Sequence, residues 1–352
     1  MNGNRLSIAD CSLRRVAIEE SVPIPGRSNF EIGPTLRAID SRGRFSPAPR
    51  TASIEYFQVE NVVFDGQTGA VFKNGIHISE TRYSTQPSHT FNVDPSRVVP
   101  LMETGPILIG FHAWHHNYYH WLTQCVPSIF WAFRVSGPAE MICALPHLAP
   151  WQNHVLKLAG LSVTNKYTVD LRRQYAVDQL VYTTFTQGAA TYRPSQKARE
   201  VFRRIQAHTK RGSSPANDVI YVSRLDTATR KMRNEPEIIE LLEREGVEVV
   251  VPGCHPLEEQ VAKFSSAKAV IGPHGAGLTN IVFCEPGATL YEIMADRKPN
   301  PCYANLAQSM GMNYWAEAFP SPHSDNEEWA ANPYQVLAAA QRVLAMPPIC
   351  PD

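Results

Sequence analysis

The stretch "AKAVIGPHGAGLTNIVFCEPGATLYEI", residues 267–293, decides the fold of this chain. Two short apolar runs flank a loop, and the whole stretch contains four Gly, two Pro and a single His, His274. Short apolar runs between glycine turns are typical of buried strands in a parallel sheet. A strand, a glycine turn and a helix start, in that order, form an arrangement in which backbone N–H groups receive phosphate. The stretch therefore predicts an α/β domain with a ligand-binding loop after "KAVIG".

Strand and helix patterns alternate on both sides of this stretch. "VIYVSR", "VEVVVPG" and "TLYEIM" are predicted strands, and "NEPEIIELLEREG" is a predicted helix with Asn234 as N-cap and Gly246 at its end. A similar alternation begins at Gly105, where "PILIGFHAW" is followed by a helix that Pro127 should interrupt. Such alternation predicts parallel sheets covered on both faces.

The length of 352 residues predicts two domains of ordinary size. The polar segment "KRGSSPAND", residues 210–218, is the best candidate linker. Ahead of the first domain, "ASIEYFQVENVVF" and "AVFKNGIHIS" predict a small antiparallel element around the turn "DGQTG". The predicted parts are an N-terminal extension (1–95), a first Rossmann-like domain (96–211), a second Rossmann-like domain (212–320) and a tail helix that packs back (321–352).

The composition argues against several classes of protein. Lys plus Arg and Asp plus Glu both number 33, so the chain has no global charge for binding nucleic acid or an anionic membrane. The seven Cys include no CxxC pair, which predicts reduced thiols. The first residues lack the apolar core of a signal peptide, and no window approaches the about 18 to 20 apolar residues of a membrane helix. These features predict a soluble, cytoplasmic protein without a nucleic-acid partner.

The glycine loop favours a ligand site over a simple connection. Gly275 and Gly277 would let the backbone approach a ligand closely, and Thr279 and Asn280 offer side-chain hydrogen bonds. The spacing matches neither GxGxxG nor a Walker loop, which argues against a dinucleotide or ATP site of those types. The alternative is a tight turn whose glycines serve packing, with His274 bound to a backbone carbonyl.

Three blocks of the sequence resemble glycosyltransferase family 61. They are "NYYHWLTQCVPSIF", "YVSRLDTATRKMRNEPEIIELLE" and "VIGPHGAGLTNIVFCEPGATLYEI", in that order between Gly110 and Ile293. The resemblance implies a GT-B fold, in which two Rossmann-like domains face each other across a cleft. It also implies inversion at the anomeric carbon, no obligatory metal or other cofactor, and a nucleotide-sugar donor, by default a UDP-sugar. Without a signal peptide or anchor, the chain is similar to bacterial-type members that build capsular or other surface polysaccharides.

In such an enzyme the second domain holds the donor. Without a metal, protein cations and helix dipoles must stabilise the departing diphosphate, and Arg224 is the first candidate because a guanidinium binds phosphate oxygens bidentately. Arg230 and Arg233 follow on the next loop and are further candidates. The alternative is that this segment is an ordinary solvated basic loop. Glu292 is a candidate for binding the ribose hydroxyls of the donor. Alternatively, it has only a packing or capping role. The predicted donor-binding residues are Arg224, Arg230, Arg233, His274, Gly275, Ala276, Gly277, Leu278, Thr279, Asn280 and Glu292.

The first domain should bind the acceptor and supply the general base of an inverting displacement. His120 is the preferred base and His116 is the second candidate, because imidazole accepts protons near neutral pH. Alternatively, His120 only orders the helix. Tyr118, Tyr119 and Trp121 are the predicted acceptor contacts, at least one of them belonging to the core. Although His116 and His120 have a metal-ligand spacing, Asn117 replaces the Glu of a metalloprotease motif, so no metal is predicted.

Two further hypotheses remain beside a transferase acting on a saccharide or lipid-linked saccharide. One is a non-catalytic nucleotide-sugar or polysaccharide-binding module of an assembly complex. The other is an unrelated Rossmann enzyme that binds NAD or S-adenosylmethionine, which the absence of GxGxxG disfavours. The β-type segment at residues 52–79 is either an edge for a homodimer or a cap on the first domain. A peripheral position at the inner face of the membrane is an option within the cytoplasmic assignment.

Overall fold

The structure of the chain is a computed structural model that describes residues 6–24, 29–46, 50–51, 53–81, 92–185, 192–209, 218–297, 299–322 and 328–345. The chain divides into two compact units. The first unit takes in residues 1–22, 52–189 and 195–205, and the second takes in residues 23–51, 190–194 and 206–352. Residues 210–217 of the predicted linker lie outside the described residues. Each unit has its own sheet.

The strands are numbered in chain order through both units. They are β1 (Ser12–Glu19), β2 (Phe30–Ile32), β3 (Ile54–Asp65), β4 (Val71–Lys73), β5 (Ile76–His77), β6 (Val98–Pro100), β7 (Ile107–Ile109), β8 (Ile142–Leu145), β9 (Lys166–Thr168), β10 (Gln174–Thr183), β11 (Val219–Val222), β12 (Glu248–Val250), β13 (Ala269–Pro273), β14 (Thr289–Ala295) and β15 (Asn313–Phe319).

The helices are numbered in the same way. They are α1 (Ile8–Cys11), α2 (Pro34–Ile39), α3 (Tyr118–His120), α4 (Val126–Ser136), α5 (Pro150–Leu158), α6 (Gln196–Thr209), α7 (Glu235–Arg244), α8 (Leu257–Ser266), α9 (Cys302–Ser309) and α10 (Pro333–Leu344). A π-helical turn (Trp121–Cys125) joins α3 to α4, and 3-10 helices cover Ser79–Thr81, Pro138–Glu140, Pro252–Cys254 and Ala276–Phe283. Within the described residues, none of these helices combines the length and the hydropathy needed to cross a bilayer.

The sheet of the second unit is parallel throughout, as the alternating pattern predicted. Its strand order is β12-β11-β13-β14-β15-β2. The chain moves from β11 outward to β12, then returns to the other side of β11 to form β13 and the later strands. The strand order therefore reverses between β11 and β13, and the crevice beyond the carboxyl ends of two such strands is where open α/β sheets bind ligands.

The core of the second unit lies on both sides of this sheet because buried apolar runs form its central strands. Ile220, Val270 and Leu290 have no exposed surface. On one face, α10 packs with α7 against the sheet and contributes Val336 and Ala340 to a shared hydrophobic cluster. The end of the chain is thus part of the second unit's core up to residue 345.

The sheet of the first unit is mixed. Its order is β5-β4-β3-β10-β7-β8-β9, with β1 also pairing with β3 and β6 with β10. β7, β8 and β9 are parallel and connected through α4 and α5, while β10 is parallel to β7 on its other side. The order reverses between β7 and β10, which creates a second switch point. β3, β4 and β5 are antiparallel neighbours, as predicted around the turn "DGQTG".

The helix that follows β7 contains a π-helical turn immediately before Pro127. The N–H of Val126 donates to the carbonyl of Trp121, five residues back. Pro127 has no N–H for the α-helical pattern and occupies the first turn of α4. The predicted interruption at Pro127 is confirmed as a π-helical turn that ends just before the proline. Turns of this kind are frequent at functional sites.

Candidate functional site

In the second unit, the candidate site begins with Arg224 at the switch point of the sheet. Arg224 follows the carboxyl end of β11 by two residues, and its backbone N–H donates to Oε1 of buried Glu235 at 2.8 Å. One guanidinium nitrogen, Nη2, donates to the carbonyl of Thr229 at 3.1 Å. These bonds direct the side chain across the end of β11.

The guanidinium of Arg224 packs directly on Gly275, the second residue after β13. A Cβ atom at position 275 would overlap the guanidinium. Arg224 Nε is buried and has no hydrogen-bond partner within the part of the chain that the structure describes. Burial lowers the pKa of Arg224, and the nearby charge of Arg230 lowers it further. A cation with an unused buried donor and a second cation close by is suited to binding an anion.

Both glycines of the loop are required for space. The φ of Gly275 is 179°, an extended conformation open to any residue, so its need for glycine comes from Arg224. A Cβ at Gly277 would lie 2.9 Å from Cγ of Pro252 and 3.1 Å from Cγ1 of Val222. Pro252 and Val222 thus account for the glycine at position 277, and the Arg224 guanidinium accounts for the glycine at position 275.

His274 is oriented by a buried carboxylate. Its Nδ1 lies 2.5 Å from Oε1 of Glu292, and the hydroxyl of Tyr314 donates to the other carboxylate oxygen at 2.7 Å. Glu292 has no exposed surface. Both of its oxygens are engaged by protein groups, which supports the packing alternative over a ribose contact. The carboxylate accepts a hydrogen bond from Nδ1–H, and within the described residues Nε2 is the ring nitrogen left for another partner.

The residues after Gly275 form a 3-10 helix where a helix start was predicted. Leu278, Thr279 and Asn280 are fully buried, and the amide of Asn280 donates to Oε1 of Gln260 at 2.7 Å. Ala276 lies at the start of this helix and is half-buried. The Asn280 side chain thus ties the loop to α8, and the burial of Leu278, Thr279 and Asn280 leaves residues 274–277 as the part of the loop that a ligand could approach.

Trp329 holds the basic loop before α7 in place. The carbonyl of Arg230 accepts from the indole of Trp329 at 3.1 Å, and the N–H of Arg233 donates to the carbonyl of Trp329 at 2.8 Å. Met232 is buried between them. Arg230 and Arg233 are both exposed, but the charge of Arg230 reaches Arg224. Arg230 is therefore close enough to Arg224 for its charge to act on that guanidinium.

In the first unit, the predicted base lies at the other switch point, on the segment that follows β7. His112, His115 and His120 are buried, and His116 is exposed. His120 Nδ1 lies 3.0 Å from Gln124 Oε1, an oxygen that only accepts, so Nδ1 is the protonated ring nitrogen in this contact. Burial lowers the pKa of His120 to about 4 against a smaller opposing effect of Gln124. His120 is thus a neutral imidazole over the whole physiological range.

The predicted acceptor residues differ in accessibility. Tyr118 is half-buried, and its ring contacts Trp151 edge-on at 5.8 Å. Tyr119 is buried against His120. Trp121 has no exposed surface, and its indole donates to the carbonyl of Gln152 at 3.2 Å. A sugar contact for Trp121 is not supported by this placement, because the ring belongs to the core.

Sequence reasoning missed the two glutamines that organise this region. Gln124 is fully buried beside His120. Gln152 donates to the carbonyl of His115 at 3.0 Å and accepts from the N–H of Ala149 at 2.9 Å. The only available signal for Gln124 was its spacing of four residues from His120. Across the described residues, no three His, Cys, Asp or Glu side chains are grouped as ligands of a metal ion would be.

Comparison with known proteins agrees with the resemblance of the three sequence blocks. Residues 118–291 match the model of the family described as Glycosyltransferase 61. A stretch of 122 residues is 31% identical to an EGF domain-specific O-linked N-acetylglucosamine transferase of Drosophila melanogaster, covering 32% of this chain and 23% of that protein. A stretch of 60 residues is 37% identical to a beta-1,2-xylosyltransferase of Arabidopsis thaliana, covering 17% of this chain and 11% of that protein.

A third relative, an alpha-1,3-arabinosyltransferase of Oryza sativa subsp. japonica, is 35% identical over 94 residues, which cover 24% of this chain and 16% of that protein. The chain thus spans less than a quarter of the length of these curated relatives. The family match covers both switch-point segments, from Tyr118 to Tyr291, and supports the glycosyltransferase 61 family for this chain.

Proposed function

We propose that this chain transfers a sugar from a nucleotide-sugar to a saccharide or lipid-linked saccharide, with inversion at the anomeric carbon. The proposal starts from the match to the glycosyltransferase 61 family. The observation that carries the proposal is the Arg224 guanidinium packed on Gly275 at the switch point of a parallel sheet. Crevices of this type bind phosphate-containing ligands.

On the donor side, the proposal assigns the diphosphate to Arg224 and to the backbone at 274–277. The planar guanidinium would donate to two phosphate oxygens, and Arg230 would add positive charge. These groups stabilise the negative charge that develops on the departing nucleoside diphosphate, which is the task a metal ion performs in other transferases. The proposal is therefore a metal-independent reaction with a UDP-sugar, in which Leu278, Thr279 and Asn280 support the loop.

On the acceptor side, His120 would remove the proton from the attacking hydroxyl through Nε2. Its hydrogen bond to Gln124 keeps the proton on Nδ1 and orients the imidazole for this step. The hydroxyl oxygen then forms the bond to the anomeric carbon while the bond to the diphosphate breaks. One displacement of this kind inverts the anomeric configuration.

The transferred sugar in this proposal is a hexose or a pentose. The names of the relatives mention N-acetylglucosamine, xylosyl and arabinosyl transfer. A GT-B arrangement, a homodimer, a cytoplasmic location and a role in capsule-type polysaccharide synthesis belong to the same proposal as predictions of the sequence.

The test is a thermal-shift panel of UDP, GDP, CDP, NAD and S-adenosylmethionine, each with and without EDTA, followed by transfer assays with the matching nucleotide-sugars. A ligand at a hundred times its Kd adds about 2.7 kcal/mol to the stability of the fold, a readily measured shift. Stabilisation by one nucleoside diphosphate in EDTA, with turnover, is the expected result. Nucleotide binding without any turnover would favour the non-catalytic module, and stabilisation by NAD or S-adenosylmethionine alone would refute the proposal.

A further inference from the structure

The charges of the chain are unevenly distributed over its helices, although its 33 Lys and Arg balance its 33 Asp and Glu. In the first unit, α4, α5 and α6 carry one Glu, Glu200, and six Lys or Arg, namely Arg134, Lys157, Lys197, Arg199, Arg203 and Arg204. In the second unit, α7 to α10 carry six Glu and three Lys or Arg. A local excess of one sign sets the potential at that surface, whatever the net charge of the chain.

Two aromatic rings of α4 bring cations of α4 and α6 together. The guanidinium carbons of Arg134 and Arg204 lie 5.5 and 5.8 Å from the ring centroid of Phe130. The ammonium of Lys197 lies 4.6 Å from the ring centroid of Trp131, and the indole N–H donates to the carbonyl of the same lysine at 2.9 Å. The cationic ends of the two helices therefore belong to one surface of the first unit.

The outer side of α6 extends this surface. Its inner side is completely buried at Ala198, Val201, Phe202 and Ile205. On the outer side, Arg199 and Arg203 are four residues apart and therefore neighbours, and like charges at this spacing destabilise a helix. Such a pair is better explained by an anionic partner outside the helix than by the stability of the fold. We call Arg134, Lys197, Arg199, Arg203 and Arg204 the basic face.

The carboxylates beside the basic face are engaged within the fold. Glu19 accepts from the first two N–H groups of α6, at 3.0 and 2.8 Å. Glu200 forms an ion pair with Nζ of Lys197 at 2.8 Å. Arg134 and Arg203 are exposed, and neither pairs with a carboxylate among the residues that the structure describes. The basic face thus presents uncompensated positive charge to the solvent.

We propose that the basic face binds the surface of a bilayer that contains anionic phospholipid. A cluster of Lys and Arg on an amphipathic helix matches such a surface, because its charged ends contact headgroup phosphates while the stems pack on the protein. Single-stranded nucleic acid would require open aromatic faces for stacking. Here the ring of Phe130 is buried and that of Trp131 is covered by Lys197. The basic face does not depend on the proposed activity, but this attachment would bring the chain to a lipid-linked acceptor.

The test is co-sedimentation of the full chain with phosphatidylcholine vesicles that contain or lack phosphatidylglycerol. Wild type should bind only the anionic vesicles, and less tightly as salt is added, since ions screen exposed charges. The double variant Arg134→Gln, Arg203→Gln should lower the partition coefficient about 25-fold, because each Lys or Arg at an anionic surface contributes about fivefold. Replacing the same two residues with Lys keeps the charge and should preserve binding. The control Arg42→Gln, Arg244→Gln removes two exposed cations of the second unit and should bind as wild type does.

Three results would overturn the lipid surface. They are a wild-type chain that does not prefer anionic vesicles, equal losses in the two Gln double variants, and tighter binding of a single-stranded oligonucleotide or an anionic polysaccharide than of anionic vesicles at physiological salt. Equal losses would mean that only the net charge matters. Equal Tm values for all variants establish that the substitutions leave the fold intact. Vesicle binding is measured without nucleotide, so failure of the nucleotide panel would remove the proposed function and leave the basic face standing.

Discussion

The guanidinium of Arg224 occupies the space that a side chain at Gly275 would fill. The two residues are 51 positions apart in sequence and meet because β11 and β13 are parallel neighbours whose carboxyl ends lie together. Position 275 is therefore restricted by the position of a cation, and the absence of a side chain at 275 is what allows the cation to reach the loop.

Replacing Gly275 with alanine should weaken donor binding by displacing Arg224. The atoms that a new Cβ would meet belong to the end of a flexible side chain, so the arginine moves while the fold keeps its stability. We expect the affinity for the nucleoside diphosphate to fall about tenfold or more, as for the loss of a charged hydrogen bond. Isothermal titration calorimetry gives the affinity, and thermal unfolding gives the stability.

A double-mutant cycle identifies the route of this effect. If Gly275→Ala acts through Arg224, the double variant with Arg224→Ala should bind the nucleotide no more weakly than Arg224→Ala alone. Additive losses of affinity would show instead that the backbone at Gly275 contacts the ligand independently.

Arg224 and His120 should affect different kinetic constants. Arg224→Ala should weaken donor binding, and Arg224→Lys should recover only part of it because a lysine cannot bind two oxygens in one plane. His120→Ala should lower turnover by about a hundredfold or more, the usual contribution of a general base, with donor affinity nearly unchanged. The measurements are donor Kd by calorimetry and kcat by steady-state assay, with Arg244→Ala on α7 as an exposed cationic control outside the candidate site. Equal losses of donor affinity in Arg224→Ala and His120→Ala would refute this separation of roles.

The central strands of the second unit could be predicted from sequence because each is a continuous apolar run between turns. β2 could not, because a three-residue edge strand has no periodicity and its partner β15 lies far away in the chain. β1 could not be predicted either, because all of its residues are exposed or half-buried and no apolar run marks the strand. Asn234 was predicted correctly as an N-cap position. Its side chain nevertheless bonds to Ala331 in both directions, so a tertiary contact replaced the local cap.

The candidate site was predictable to the extent that its residues follow strands. Arg224 and His274 were selected because they come after β11 and β13, and the carboxyl ends of parallel strands meet at one edge. The contact between His274 and Glu292 could not be predicted from sequence. It depends on how the strands pair, and the other carboxylate oxygen of Glu292 is bound by Tyr314 of a different strand.

Tyr314→Phe should destabilise the second unit more than Tyr291→Phe. Both hydroxyls donate to a carboxylate, Tyr314 to Glu292 at 2.7 Å and Tyr291 to Glu317 at 3.2 Å. Glu292 is completely buried, so the loss of its donor leaves a desolvated oxygen at a cost of about 1–3 kcal/mol. Glu317 is half-buried, and water can replace the lost hydroxyl. Urea denaturation at constant m-value gives both free energies of unfolding, and an equal cost for the two variants would contradict the assignment of Glu292 as the buried anchor of His274.

Stability should fall as the pH decreases from about 6.5 to about 4, and His120 should account for a measurable part of the slope. An unfolded His binds a proton near pH 6.5, whereas burial in the folded state lowers the pKa of His120 to about 4. Between these values the unfolded chain binds more protons than the folded one, so the free energy of unfolding decreases as the pH falls, by up to about 3 kcal/mol from this residue. The pKa values of His112 and His115 are also lowered by burial and act in the same direction. His120→Gln removes one of these groups and leaves the carboxylates unchanged. Its unfolding free energy, measured by urea titration from pH 4 to pH 7, should therefore have a shallower pH dependence than that of wild type, and parallel curves for the two proteins would show that His120 is not a buried neutral imidazole.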